Sequence, residues 1–570
     1  MNESAGDEWD VIVVGSGAGA LSAAVTARGL GLKVVVLEKA PLFGGTSARS
    51  GGVLWIPGNG KFPQGEQPAG QDAVAYMRHE VGEAFDARRV AAFLEAGPRM
   101  IRYMEQETTA VRFIPAHGFA DYHTNAPGAV ATGRSIAPAP FDGKQLGREI
   151  RRLRPPLAEI TLMGMMLNAS DDVKHFFNAT KSLKSLVHVT KLIAKYLLDL
   201  ARYGRAMRLT NGNALIARLG KSYFDLGGEL RTDCAVERLL TGLDGRVTGV
   251  EATWRGKRIK VQARLAVILG AGGFPRDPAR VKQLFPHEIK GGEHLSPAAE
   301  SSTGDGIAMA ETVGGQFSSE LSQPAAWIPV SRVPDPKQER IFPHLIDRYK
   351  PGVIMVNRAG RRFVNESDSY HDVGQAMIKD PDRGISEEAF AWLIADHRSI
   401  RKYGLGHVKP APFMLLPYLR SGYLRRGRTP EELAAVIGVN PTELAQTLEE
   451  YNRHASDGKD PQYGRGETAY NRYLGDPQNK PNACVAPLAS RPLYAIRVVL
   501  GDLGTFAGIV TDERGRVMRR DRSPVPGLYA VGNDALSLMG GNYPGGGITL
   551  GPGMTFGFLA AEDIAASAKA

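Results

Sequence analysis

An α/β fold, with a Rossmann-like nucleotide-binding domain and an α+β domain inserted into it, is predicted by three features of the sequence. Residues 9–20 read WDVIVVGSGAGA, an apolar β-branched run that breaks into glycines before the helical stretch LSAAVTARGL. A second apolar strand, KVVVLE, then ends in an acid, Glu38. Near the other end of the chain a strand, VPGLYAVGND (Val525 to Asp534), opens onto a glycine-dense run, GGNYPGGGITLGPGM (Gly540 to Met554), and that run feeds a helix.

The first two features form one unit. Val11 to Val14 suit a parallel strand buried on both faces. Gly15, Gly17 and Ala20 fit G-x-G-x-x-G/A, and Glu38 stands eighteen residues past Ala20. A lone glycine pattern is weak evidence; strand, glycines, helix, strand and terminal acid in this order are strong. The helix N-terminus, with Ala18, Gly19 and Ala20, offers unpaired N–H groups to a pyrophosphate, and Glu38, beside Lys39, accepts from an adenosine ribose.

The next stretch, PLFGGTSARSGGVLWIP, separates the dinucleotides. An NAD enzyme has no need of glycines and serines immediately after the ribose acid. A flavin enzyme does, because the chain must run beneath the pyrophosphate toward the isoalloxazine ring. Gly44, Gly45, Thr46, Ser47, Ser50, Gly51 and Gly52 are therefore expected to hold FAD. Gly532 and Asn533 approach it from the C-terminal strand, and Thr549 and Leu550 face the ring where glycines let backbone close on a ligand. No rigid element is expected between Gly540 and Met554.

At 570 residues the chain exceeds the size at which one core stops growing, about 250–300 residues, so more than one domain is expected. The FAD domain is expected at 1–322 and 500–570, with a helical excursion at about 145–208. The inserted, substrate-capping domain is expected at 323–499. Two cysteines, Cys234 and Cys484, make neither a disulfide framework nor a metal site and suit a reducing compartment. The polar, acidic start argues against a signal peptide, and no apolar run of about 18 residues occurs, so a cytoplasmic protein is expected. Net charge is +10, but zinc-finger spacing and RNA-binding aromatics are absent, which excludes nucleic acid as the expected partner. The basic segment Asp171 to Arg208 reads as helices, either docking peripherally on an anionic membrane face or forming a solvated cover on the FAD domain.

Over nearly its whole length the sequence resembles the fumarate-reductase-type flavoproteins, and within them the 3-ketosteroid Δ1-dehydrogenases. The resemblance is carried by GGTSARSGG, DYHTNAPG (Asp121 to Gly128), VILGAGGF, STGDGIAMA, NRAGRRFVNES, YGRGETAYNRYLGDPQNKPN, GDLGT and YPGGGITLGPGMTFGFLAA. It implies that Val236, Ala271, Gly272, Gly304 and Asp305 also line the FAD site. Two departures stand out: the loop reads YPGGG where that branch has YPGPG, and the segment Arg151 to Arg208 is long. No histidine occupies GGTSARSGG, so FAD is expected to be non-covalent.

Residue types then choose the chemistry. Fumarate reduction needs cations for two carboxylates and an acid for carbon. In the reductases an arginine after the G-R-R-F strand is that acid; here NESDSY puts Tyr370 in its place, and the glycine run carries no arginine. Tyrosines suit a neutral ring ketone, whose oxygen gains charge as the α-proton leaves and needs preorganised donors. The resemblance implies that Tyr543 and the Gly547 N–H polarise the ketone, that Tyr370 takes the α-proton, with the β-hydrogen leaving as hydride to flavin N5, and that Tyr122 is the hydroxyl partner of Tyr370. A tyrosine of ordinary pKa near 10 needs such a partner to act as a base. His117 and His123 are read as structural, with no metal site. A second glycine fingerprint for NAD(P)H is not found, so electrons are expected to pass to an external acceptor such as a quinone. A 5α-3-ketosteroid 4-dehydrogenase or cyclohexanone-type dehydrogenase stays open, an ene-reductase is disfavoured, and a non-catalytic flavin protein would not require paired tyrosines.

Overall fold

The structure is a computed structural model that describes residues 7–63, 70–162, 164–166, 172, 175–176, 182–288, 292–383, 388–410 and 414–569. Strand β1 (Asp7–Val14) is the axis of the first sheet. It runs parallel to β2 (Val34–Leu37) on one side and to β3 (Lys257–Leu269) on the other. Glu229–Arg231 extends the parallel sheet beyond β2, and Pro524–Ala530 extends it beyond β3. Val11, Ile12 and Val13 are wholly buried, which explains a continuous apolar run rather than an alternating one. Gly15, at φ +96°, turns the chain into helix α1 (Ala18–Gly29); a Cβ there would lie 2.3 Å from the Gly270 carbonyl oxygen.

The last helix, Leu550–Ser567, packs on α1 so closely that a Cβ at Gly557 would lie 2.4 Å from the Gly19 carbonyl oxygen. This helix starts at Leu550, inside the glycine run that the sequence leaves without a rigid element until Met554. Packing explains the difference: a Cβ at Gly551 would lie 2.3 Å from the Trp55 carbonyl oxygen, so this glycine serves helix docking rather than a flexible loop.

A second, antiparallel sheet is built from Arg340–Pro343, Ala325–Val333, Leu493–Thr505, Phe390–Ala395 and Val353–Val356, in that spatial order. Its long strand Leu493–Thr505 runs across the expected domain boundary at 499/500. Of the basic segment, Asp171, Val173, Lys174 and residues 177–181 lie outside the described residues. The remainder contains one long helix, α2 (Leu183–Tyr203), in which only Ser185, Val189 and Asp199 are buried. No described helix is long and apolar enough to cross a membrane.

Candidate active site

One cavity of about 750 Å³ runs from the glycine turn after β1 to the second sheet. Every predicted cofactor residue lines it except Gly44 and Gly304. These two act from behind: the Gly44 N–H donates to Ser16 Oγ at 2.8 Å, and Gly304, at φ +79°, caps the helix Asp305–Thr312. All four predicted catalytic residues, Tyr122, Tyr370, Tyr543 and Gly547, line the same cavity.

Two glycines test whether a dinucleotide fits. Gly17 has an ordinary φ of −69°, and a Cβ there would meet only Ser47 Oγ at 3.4 Å. At Gly51 a Cβ would meet nothing within 4 Å, and its φ is not positive. Neither protein packing nor backbone conformation demands glycine at these positions, whereas a ligand lying against the backbone does. Helix α1 has glycine at its N-cap; its first N–H, that of Ala18, donates to Ser47 Oγ at 3.1 Å, and Gly19 and Ala20 line the cavity behind it. Glu38 is buried at the end of β2; one carboxylate oxygen accepts from Ser16 Oγ and the other from the Ala40 N–H at 2.9 Å. Burial raises its pKa, with Ser16 and Ala40 opposing. Ser16 was not among the predicted residues; only the fold brings its hydroxyl to Glu38. Lys39 pairs with Asp305 at 2.5 Å, drawing two predicted residues together across the adenosine end.

At the other end three segments converge. Tyr370 is the first residue of α3 (Tyr370–Lys379), whose N-cap Ser369 accepts from the Asp372 N–H. Its hydroxyl lies 3.1 Å from that of Tyr122. The Tyr543 ring stacks on Tyr122 (centroids 5.7 Å, interplanar 12°) and meets Tyr370 edge-on at 4.9 Å. Tyr470, which sequence reasoning did not single out although it sits in the quoted YGRGETAYNRY block, packs on Tyr122 at 4.3 Å and lies 2.6 Å, hydroxyl to hydroxyl, from Tyr349. Burial, followed by the neighbouring phenols, pushes Tyr370 well above the ordinary tyrosine range. Burial also raises Tyr543, against the pull of Tyr370 and Thr549.

The loop that carries Tyr543 is held by its carbonyls. Pro544 O accepts from Tyr76 Oη at 2.6 Å and from the Tyr122 N–H at 2.9 Å, while Gly546 O accepts from Ser135 Oγ at 3.0 Å. Gly547, at φ +101°, lies against the 53–55 backbone, where a Cβ would come within 2.5 Å of the Val53 carbonyl oxygen. Its N–H makes no hydrogen bond to another described residue. Gly546 takes the place of the second proline in YPGPG, and Phe119 covers it; a Cβ there would lie 3.0 Å from the Phe119 ring.

This end presents the hydroxyl-bearing rings of Tyr122, Tyr370 and Tyr543 together with Gly547 to one cavity. Among the described residues, the cations that line the cavity are Lys39 and Arg49 with the cofactor residues and Lys350 and Lys409 in the outer wall. Farther out the wall is largely apolar, with Leu157, Ile160, Phe342, Leu345, Ile346 and Val408, and carries Lys350 and Lys409.

The FAD binding domain family matches residues 10–550 of the chain. The chain is 40% identical over 563 residues to a 4-oxocyclohex-2-ene-1-carboxylate 5-dehydrogenase of Sinomonas cyclohexanicum, covering 98% of this chain and 94% of that protein. It is 38% identical to a 3-oxosteroid 1-dehydrogenase of Mycolicibacterium smegmatis, covering 99% and 98% respectively. The crystal structure of 3-ketosteroid Δ1-dehydrogenase from Sterolibacterium denitrificans, in complex with 1,4-androstadiene-3,17-dione, superposes with a TM-score of 0.89 at 36% identity, covering 98% of this chain and 100% of that one. With the dinucleotide cradle at one end of the cavity and the tyrosine cluster at the other, the chain belongs to the FAD-binding flavoprotein family of the 3-oxosteroid 1-dehydrogenases and related cyclic-ketone dehydrogenases, and is an FAD-dependent dehydrogenase acting on CH–CH groups.

Proposed function

We propose that the protein places a C=C bond beside the carbonyl of a ring ketone, with a 3-ketosteroid as the substrate class. The observation that carries this reading is the Tyr543, Tyr370 and Tyr122 cluster in the same cavity as Gly547, whose N–H has no partner among the described residues. Tyr543 and the Gly547 N–H donate to the ketone oxygen, stabilising the charge that develops there. The α-proton passes to the Tyr370 oxygen, and Tyr122 holds that oxygen through the contact at 3.1 Å. FAD, when bound, accepts the β-hydride. Gly15 to Ala20, Glu38, Gly45 to Ser47 and Gly532 to Asn533 are the residues that would hold it, non-covalently; among the described residues no histidine lines the cavity.

Tyr370 rests as a phenol at neutral pH, because burial and its neighbours disfavour the phenolate. Its place at the start of α3 works the other way, since the partial positive charge of a helix N-terminus favours an anion. The apolar far wall suits a fused ring system. A second reading is favoured by Lys350 and Lys409, which line that wall and donate to backbone carbonyls of Leu474, Gly475 and Glu159. They would receive the carboxylate of a small ketone such as 4-oxocyclohexanecarboxylate.

Anaerobic titration of the bound flavin separates these readings. Bleaching by androst-4-ene-3,17-dione supports the Δ1-steroid reading, bleaching by a 5α-3-ketosteroid alone supports 4-dehydrogenation, and bleaching by 4-oxocyclohexanecarboxylate alone supports the small-ketone reading. No bleaching by any ketone, with succinate effective, would reject the proposal.

Helix α2 supports a peripheral membrane contact. Leu183, Leu186, Val187, Ile193, Leu197 and Leu200 are exposed at helical spacing, with Leu183 at 77% and the neighbouring Leu198 at 72%. Lys184, Lys191, Lys195 and Arg202 belong to the same helix. Apolar side chains for the acyl boundary and cations for anionic headgroups are what interfacial binding requires. A membrane quinone is the acceptor this arrangement favours.

A further inference from the structure

The three tyrosines stand on three different segments, and each pair of segments is tied together. The Tyr122 loop is tied to the glycine loop by the Tyr122 N–H and Pro544 O, at 2.9 Å. Helix α3 is tied to the glycine loop through His371: its Nδ1 accepts from the Trp327 N–H at 3.1 Å, which leaves Nε2–H to donate to Gly541 O at 3.1 Å. Both of these ties end on backbone carbonyls. The third tie, between the Tyr122 loop and α3, is of another kind. His123, the residue after Tyr122, has Nδ1 2.6 Å from Glu80 Oε2 and Nε2 3.0 Å from Asp372 Oδ2. Asp372 lies in the first turn of α3, two residues past Tyr370. With a carboxylate at each ring nitrogen, both nitrogens must carry hydrogen, so the ring is an imidazolium.

We propose that His123 is a positioning residue: as an imidazolium clamped between Glu80 and Asp372, it sets the distance between the Tyr122 and Tyr370 hydroxyls. The inference rests on the reading of Tyr370 as the base and Tyr122 as its partner. Glu80 is fixed from behind, its carbonyl accepting from Asn542 of the glycine loop, and Asp372 also accepts from Ser369 Oγ at 2.6 Å. The groups facing His123 are Glu80 and Tyr76 from the helix Gly70–Val81, Asp368 from the turn before α3, and His371 and Asp372 from its first turn. Among these only carboxylates carry charge at neutral pH, because burial first of all lowers His371 to about 4 and raises Tyr76 far up. Burial opposes the charge on His123, but the bonds and charges of Asp372 and Glu80 outweigh it and raise the ring to about 10. Removing the ring leaves Glu80 and Asp372 facing each other as like charges, which drives α3 away from the Tyr122 loop.

The test is His123→Ala in the flavin-loaded protein. Misplacement of reacting groups by about 1 Å costs up to about 10²-fold, so kcat should fall at least about ten-fold with KM held within about two-fold. His123 is 37% exposed, so imidazole from solution can enter the vacated site and should restore part of kcat. A purely structural loss would not respond to imidazole. A kcat close to that of the unaltered protein, or a loss that imidazole does not relieve, would overturn the clamp. If the variant retains no flavin, ¹⁵N NMR of histidine-labelled unaltered protein decides: His123 doubly protonated at pH 8 supports the clamp, and a neutral ring contradicts it. A normal His123→Ala beside an inactive Tyr370→Phe removes the clamp alone and leaves the proposed function standing.

Discussion

The hydroxyl oxygens of Tyr122 and Tyr370 stand 3.1 Å apart, with their rings perpendicular at 86°. Tyr122 thus presents its hydroxyl to Tyr370 while its ring face stacks on Tyr543. It touches both the proposed proton acceptor and the proposed ketone donor, and the side chains that act on those two phenols are other tyrosines and Thr549. In the proposed mechanism the proton passes to a phenol, and the pH behaviour expected of the site follows from Tyr370 and from the His123 beside it.

The reductive half-reaction should rise with pH from neutrality. Tyr370 lies well above the ordinary tyrosine range, so the fraction of phenolate grows about ten-fold per pH unit. The rise should end near pH 10, where His123 loses its proton. Stopped-flow flavin reduction across pH 6–11 checks this, and a flat profile below pH 9 would contradict it.

The same imidazolium gives stability a pH dependence of known sign. Its folded pKa of about 10 is raised above the ordinary 6.5, so the folded state holds a proton that the unfolded chain releases. The contribution is complete below about pH 6.5, drains as pH rises, and is gone above about 10. Denaturant midpoints measured over this range should fall with pH, and more steeply than in His123→Gln.

Tyr543→Phe should fold, bind FAD and lose about 10²–10³-fold in turnover, the cost of one oxyanion donor. The ring keeps its stacking on Tyr122, so the loss is confined to the hydroxyl. Steady-state kinetics with a dye acceptor, alongside flavin absorbance, distinguish this from a loss of cofactor.

Much of the cofactor end was legible in the sequence because it is local. Strand, glycines, helix and Glu38 are close along the chain, and backbone geometry explains Gly15, whereas Gly17 answers to a ligand rather than to packing. Tyr543 was legible because a lone aromatic among glycines has few structural reasons to be there. Ser16 at Glu38, Tyr470 at Tyr122 and the ring of His123 were not. Glu80 and Asp372 stand 43 and 249 positions from His123, and only the folded chain brings them to its two nitrogens. The exposed face of α2 was half legible: its cations were plain, but whether its leucines were covered depends on packing.

Glu38→Gln should weaken FAD binding. A hydrogen bond to a charged, buried acceptor is worth about 1.5–3 kcal/mol, or about 10- to 150-fold in Kd. Acid precipitation of the unaltered protein should release intact FAD into the supernatant, and flavin retained on the pellet would contradict a non-covalent site.

Leu183→Ser, Leu197→Ser and Leu198→Ser combined should abolish flotation with phosphatidylserine-containing vesicles. Each buried leucine is worth about 1.5–3 kcal/mol, so losing three removes most interfacial affinity. Equal flotation of both proteins would exclude α2 as the contact.

The most direct test of the central claim is exchange of the substrate α-hydrogen in deuterated water, with FAD bound and no electron acceptor present. With a ketone that bleaches the flavin, the unaltered protein should exchange that hydrogen, and Tyr370→Phe should not. Tyr543→Phe should slow exchange and flavin reduction together. Exchange at the unaltered rate in Tyr370→Phe would contradict the account, because the α-proton would then leave to a group other than Tyr370.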